Sequence, residues 1–135
     1  MHGVELYRAG DMLLAVLVRA TASSDEKYNF LTQSTEPLQL GVNFYKAGET
    51  IANHAHLPRE IRIDKVQEFI VISEGRVRLT LYDEQRRQVA QTEMGRGDVV
   101  LLTGGGHGFE ILEDTKIVEV KQGPYDGRVK DKVLF

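Results

Sequence analysis

Apolar residues along this chain recur mainly at every second position, in short runs cut by turn residues. Val77-Arg78-Leu79-Thr80-Leu81-Tyr82 alternates cleanly, and residues 38–45 do so more loosely. A period of two puts alternate side chains on one face of a strand. Residues 66–72, 88–92, 99–102, 109–112 and 117–120 complete the expected strands. Between them stand Glu74-Gly75, Asp83-Glu84, Gly95-Arg96-Gly97-Asp98, Gly104-Gly105-Gly106 and Glu113-Asp114. Glycine reaches positive φ in such places and Asp bonds its own backbone. Many short strands at near-even spacing predict an all-β sandwich or barrel.

The first 36 residues are less regular. Residues 12–18 form an apolar run, expected to be a strand or short helix packed on the barrel or on a partner subunit. Ser23-Ser24-Asp25-Glu26-Lys27 reads as a solvated loop. Beyond residue 123 lies a tail with Arg128, Lys130, Asp131 and Lys132, closed by Val133-Leu134-Phe135, an apolar end suited to docking. The expected organisation is therefore a segment at 1–36, one barrel at 37–123 and a tail at 124–135. A chain of 135 residues suits one core.

Composition narrows the chemistry. With 41% hydrophobic residues and a net charge of only −3, the chain has the makings of a packed core. No cluster of Lys and Arg offers a basic face, so nucleic acid is not an expected partner. There are no cysteines, which rules out disulfides, thiolate metal sites and a cysteine nucleophile. The run at 12–18 is too short to span a bilayer. It is also a poor signal peptide, with Asp11 before it and Arg19 straight after, despite the small residues Ala20-Thr21-Ala22. The expectation is a cytoplasmic protein with no membrane association, although lack of cysteine suits the periplasm equally.

Three of the four histidines fall in segments that carry chemistry. His54-Ala55-His56 on a strand would aim both imidazoles at one ion, whereas a helix would separate them by roughly 200°. Glu68 opens a strand that is otherwise Phe69-Ile70-Val71-Ile72, and an unpaired carboxylate there is costly to bury. A divalent cation would relieve that cost. His107 follows three glycines, which allow close backbone approach, and shares its face with Phe109 and Ile111. Taken singly, each feature has a plainer explanation: a surface histidine pair, a turn histidine, a charge guarding a strand edge. Their order and spacing favour one divalent transition metal on His54, His56, Glu68 and His107. Such a donor set takes Fe, Mn, Ni, Co, Cu or Zn without distinguishing among them.

These residues resemble the two motifs of the cupin superfamily. Gly48, five residues, His54-Ala55-His56, a gap, Glu68, six residues and Gly75 match the first motif, with an eleven-residue gap at 57–67 where the family has a shorter one. In the second, Gly97 and the five residues after it fit; Thr103 replaces a proline, Gly105 matches, His107 comes one residue early and Ile111 replaces an asparagine. The resemblance covers about residues 38–120 and implies a double-stranded β-helix, or jelly-roll barrel, with an N-terminal extension. It is closest to small stand-alone bacterial cupins.

That resemblance implies a small-molecule ligand and a homodimer formed through an edge strand or the N-terminal segment. The expected activity is metal-dependent action on a small oxygenated substrate of sugar or carboxylate type, as a dioxygenase or isomerase. Two alternatives stand beside it: a non-catalytic binding or sensing module, and a metal-free sugar-nucleotide isomerase or epimerase using an acid–base pair. Catalytic residues are not assigned. Candidate substrate contacts are Arg59 and Arg62, which would clamp a carboxylate or phosphate, with Tyr45, Gln67 and Phe109 as pocket walls. For the two arginines, solvated loop charge is at least as good an explanation.

Overall fold

The computed structural model describes the backbone of residues 1–135 and the side chains of all but residues 128 and 129, so the Arg128 side chain of the charged tail lies outside the described residues. Ten strands and one short helix follow in order: β1 (His2–Ala9), β2 (Met12–Ser23), β3 (Tyr28–Phe30), β4 (Gly41–Asn43), β5 (Glu68–Glu74), β6 (Arg76–Tyr82), β7 (Gln88–Gly95), β8 (Val99–Leu102), β9 (Gly106–Ile111), β10 (Lys116–Lys121) and α1 (Arg128–Asp131). All described pairings are antiparallel. One sheet has the order β1-β2-β8-β5-β10, a second the order β7-β6-β9, and β3 and β4 make a separate ribbon. The result is a β-sandwich; no closed barrel forms among the described residues.

Register explains why the central strands carry so few polar residues. Leu6, Val16, Leu101, Phe69 and Val120 stand side by side across all five strands, as do Val4, Val18, Val99, Val71 and Val118. These two rows face away from the second sheet. Leu31, Leu38, Leu40 and Val42, from the segment around the β3–β4 ribbon, cover their middle. The opposite face carries Leu17, Val100 and Ile70, which meet Val77, Leu79, Leu81 and Met94 of the second sheet in the main core. A sheet covered on both faces reads as continuous apolar sequence rather than as alternation. Each fully buried Leu or Val side chain here contributes about 1.5–3 kcal/mol of transfer free energy.

The first 36 residues turn out to be more than a segment packed on the barrel. β2 lies between β1 and β8 inside the large sheet, and Leu14 to Val18 are among the most buried residues of the chain. The two sheets are tied on the β1–β7 side by Arg19. Its guanidinium donates to Glu5 Oε1 (2.6 Å), to the Glu93 carbonyl (2.6 Å), to Asp98 Oδ2 (3.1 Å) and to Thr92 Oγ1 (2.9 Å). No helix is long and apolar enough to cross a membrane.

Candidate functional site

Glu68 stands at the start of β5, in an inner row running Ala15, Leu102, Glu68, Lys121. The row places its carboxylate in the gap between the sheets. From the other sheet, β9 pairs with β6 so that His107 lies opposite Leu81 and Phe109 opposite Leu79. His107 therefore points into the same gap, and its Nε2 stands 3.0 Å from Glu68 Oε2. Lys121 Nζ lies 3.6 Å from the other carboxylate oxygen and 2.8 Å from Asp131 Oδ2. The hydrogen bond from His107 holds the Glu68 carboxyl below its ordinary value; burial works against it, and the charges of His107, Lys121 and Lys132 work with it.

Glycines make room for this arrangement. Gly105 has φ 65°, and a Cβ there would meet the Tyr82 carbonyl at 2.2 Å. Thr103, where the motif has proline, is fully buried and uses the amide that proline lacks. Its N–H donates to the Leu14 carbonyl (2.8 Å) and its hydroxyl to the Leu13 carbonyl (2.6 Å). Thr103 thus carries the β2–β8 pairing one residue further, up to the glycine run that positions His107.

A cavity of about 420 Å³ opens over the pair, lined by Glu68, His107, Tyr82, Leu102, the backbone of 104–108 and residues 131–135. The Phe135 ring stacks edge-on against Tyr82 at 5.1 Å, and a Cβ on Gly106 would stand 2.7 Å from its Cζ. The apolar end at 133–135 thus docks on its own chain at the mouth of the cavity.

The four expected metal donors fall into two pairs. Glu68 and His107 meet in the cavity. His54 and His56 are neighbours of each other, with ring centroids 5.3 Å apart, but they lie on an exposed stretch without regular structure. No group of three or more His, Asp or Glu side chains is gathered to hold an ion among the described residues. The donor chemistry fits a transition metal, while the arrangement brings half of it to one point. The cost of burying Glu68, which argued for a cation, is already met by His107 and Lys121.

None of the expected substrate contacts lines the cavity. Arg59 and Arg62 are exposed on the same unstructured stretch. Tyr45 stands edge-on to Tyr28 at 6.0 Å, with Lys27 Nζ 4.9 Å above its ring. Gln67 is fully buried and structural: its side chain accepts from the Leu38 amide (2.9 Å) and donates to Glu36 (2.7 Å). Phe109 packs against the core with its ring centroid 6.0 Å from that of His107. Reading the sequence missed Lys121, Asp131 and Tyr82. Strand parity offers a signal for Lys121 and Tyr82 only once the register is known, and none for Asp131.

Fold and site together define an antiparallel β-sandwich with a carboxylate–imidazole pair at its open side, the carboxylate buried and the imidazole exposed. No family model, curated protein or solved structure matches the chain.

Proposed function

We propose that this chain is a metal-binding cupin acting on a small oxygenated molecule, of sugar or carboxylate type, in the cavity over Glu68 and His107. The observation that carries this reading is the meeting of these two side chains, 39 positions apart in the sequence, across the gap between two sheets. Both belong to the expected donor set, and Glu68 is a buried polar group that an idle core would replace with an apolar one. His54 and His56 complete the set if their stretch folds over the cavity. A divalent ion bound there would supply Lewis acidity to an oxygen of the substrate. The chain's own groups have separate tasks. Lys132 offers a cation to an anionic substituent, Leu102 forms an apolar wall, and Glu68 fixes the orientation of the His107 ring.

The test is elemental analysis of protein purified without added metal, beside His54→Ala/His56→Ala and Glu68→Gln variants. Near-stoichiometric metal in the parent and its loss in both variants is the expected result. Metal-free parent protein that takes up no Fe(II), Mn(II), Ni(II) or Zn(II) on titration would sink the reading.

One observation favours a second reading. His107 and Glu68 are bonded directly, with Tyr82 beside them on the cavity wall. That is the geometry of an imidazole oriented by a carboxylate for proton transfer. In this reading the chain is a metal-free isomerase or epimerase, and its turnover would survive exhaustive chelation.

A further inference from the structure

We infer that Lys121 is the seat for an anionic group of the cavity's ligand, a carboxylate or a phosphoryl group, and that Asp131 is its built-in stand-in, giving way when that group arrives. The inference rests on the Glu68–His107 cavity being a ligand site and adds the chemical class of what enters it.

Lys121 closes β10, on the inner row of the large sheet beside Glu68. Only 18% of its side chain is exposed. Three groups hold the ammonium in place: Glu68 Oε1 and Glu119 Oε1, each 3.6 Å away, and the Tyr125 ring, whose centroid lies 5.1 Å from Nζ. None of these is at hydrogen-bonding distance. The one side-chain hydrogen bond that Lys121 makes among the described residues goes to Asp131 Oδ2, at 2.8 Å. Charge-assisted bonds of this length are the strong kind, and a covered ammonium without one is costly. The position is built to hold an oxyanion.

Asp131 is the replaceable partner. Glu68 and Glu119 are fixed on strands, whereas Asp131 ends α1, a single turn held by bonds from the Lys130 and Asp131 amides to the Gly127 carbonyl (3.1 and 3.2 Å). Val133, Leu134 and Phe135 after it are all largely exposed, so little apolar burial resists a shift. Asp131 also lines the cavity, and so faces the space in which a ligand would lie.

An anion in place of the Asp131 carboxylate would stand beside the Glu68–His107 pair. Lys121 Nζ is 3.6 Å from one Glu68 oxygen, and His107 Nε2 is 3.0 Å from the other. Lys132 Nζ, 3.9 Å from Asp131 Oδ2, adds a second cation. The rest of a small molecule would extend along walls that include Leu102 and Tyr82. A cavity of about 420 Å³ suits such a molecule. A neutral sugar would gain nothing from the ammonium.

A group tethered on a short segment competes at an effective concentration of about millimolar. Asp131 therefore keeps external anions weakly bound, and removing its charge should uncover the seat. The test measures dissociation constants for inorganic phosphate and for succinate by calorimetry, on the full chain in chelator at fixed ionic strength. Asp131→Asn should tighten at least one of them by about tenfold or more, and the anion favoured identifies the ligand's group. Adding Lys121→Gln should abolish the gain, and adding Lys132→Gln should reduce it less. Unchanged affinity for both anions in Asp131→Asn overturns the inference. So does a gain that survives Lys121→Gln, or equally tight binding by Asp131→Glu, which keeps the charge. The two readings fail separately. Anion binding governed by Asp131 in a chain that takes up no metal would leave the seat and remove the metal. A metal-binding chain whose anion affinity ignores Asp131 would do the reverse.

Discussion

Glu68 and His107 meet at 3.0 Å from β5 and β9, strands of different sheets. The pair makes stability depend on pH in a definite sense. The folded chain holds the Glu68 carboxyl below its ordinary value of 4.5, first through the His107 hydrogen bond. The unfolded chain therefore takes up the proton first as pH falls. The stabilisation is complete above about 4.5 and is lost as pH drops through the lower folded value. Glu68→Gln should cost about 1–2 kcal/mol at neutral pH and flatten the acid limb of the stability curve. Urea midpoints between about pH 3 and 6 measure this. An acid limb of equal slope in parent and variant would show that the pair contributes nothing.

Asp98 is the second polar residue whose removal should be felt. Its carboxylate accepts from the Ala20 amide (2.8 Å), the Gly95 amide (3.0 Å) and Arg19 (3.1 Å), so it joins β2, the β7–β8 turn and the Arg19 clamp. Asp98→Ala leaves two backbone amides and a guanidinium short of a partner, which should cost about 3 kcal/mol. Arg78→Ala, which breaks only exposed ion pairs with Glu93 and Glu110, should cost less than about 1 kcal/mol. Denaturant titration of both variants compares them. Equal losses would mean that Asp98 acts only as a surface charge.

How far the sequence carried can be judged from single residues. Val77 to Tyr82 showed its strand by strict alternation, and β6 covers those residues. Val99–Leu102 was legible to the residue because glycines bound it on both sides. The meeting of Glu68 and His107 was expected from the order and spacing of the motif residues; strand parity gave only the neighbours that share a face with each. Two things were hidden. β1 and β2 form a hairpin whose apolar residues face both ways, so residues 12–18 showed no period to fix their type. The strand read at 38–45 survives only as Gly41–Asn43, because that ribbon packs on the large sheet by one face and has a single partner. His54 and His56 had the spacing of a strand, but spacing cannot supply a neighbour to pair with.

Thr103 tests whether local hydrogen bonding explains a departure from the motif. Thr103→Pro removes the amide that bonds Leu14 and the hydroxyl that bonds Leu13, in a fully buried position. It should destabilise by about 3 kcal/mol or more. Thr103→Val keeps the amide and the shape and should lose about 1–2 kcal/mol. Thermal melts rank the two. A proline variant as stable as the parent would mean that the β2–β8 pairing tolerates ending at Leu102.

Gly106 tests the docking of residues 133–135 at the mouth of the cavity. Its backbone does not adopt positive φ, so alanine is conformationally acceptable, but the new Cβ would stand 2.7 Å from Phe135 Cζ and 3.1 Å from Cε1. The ring must leave its place against Tyr82. Because Phe135 is already 61% exposed, the move should cost little stability, under about 1 kcal/mol. The chain has no tryptophan, so Phe135→Trp supplies a single fluorescent reporter. In that background Gly106→Ala should shift the emission to the red and increase quenching by iodide, as the indole moves from Tyr82 into water. Unchanged emission would place the ring elsewhere in solution, and the cavity would then stand open in the parent.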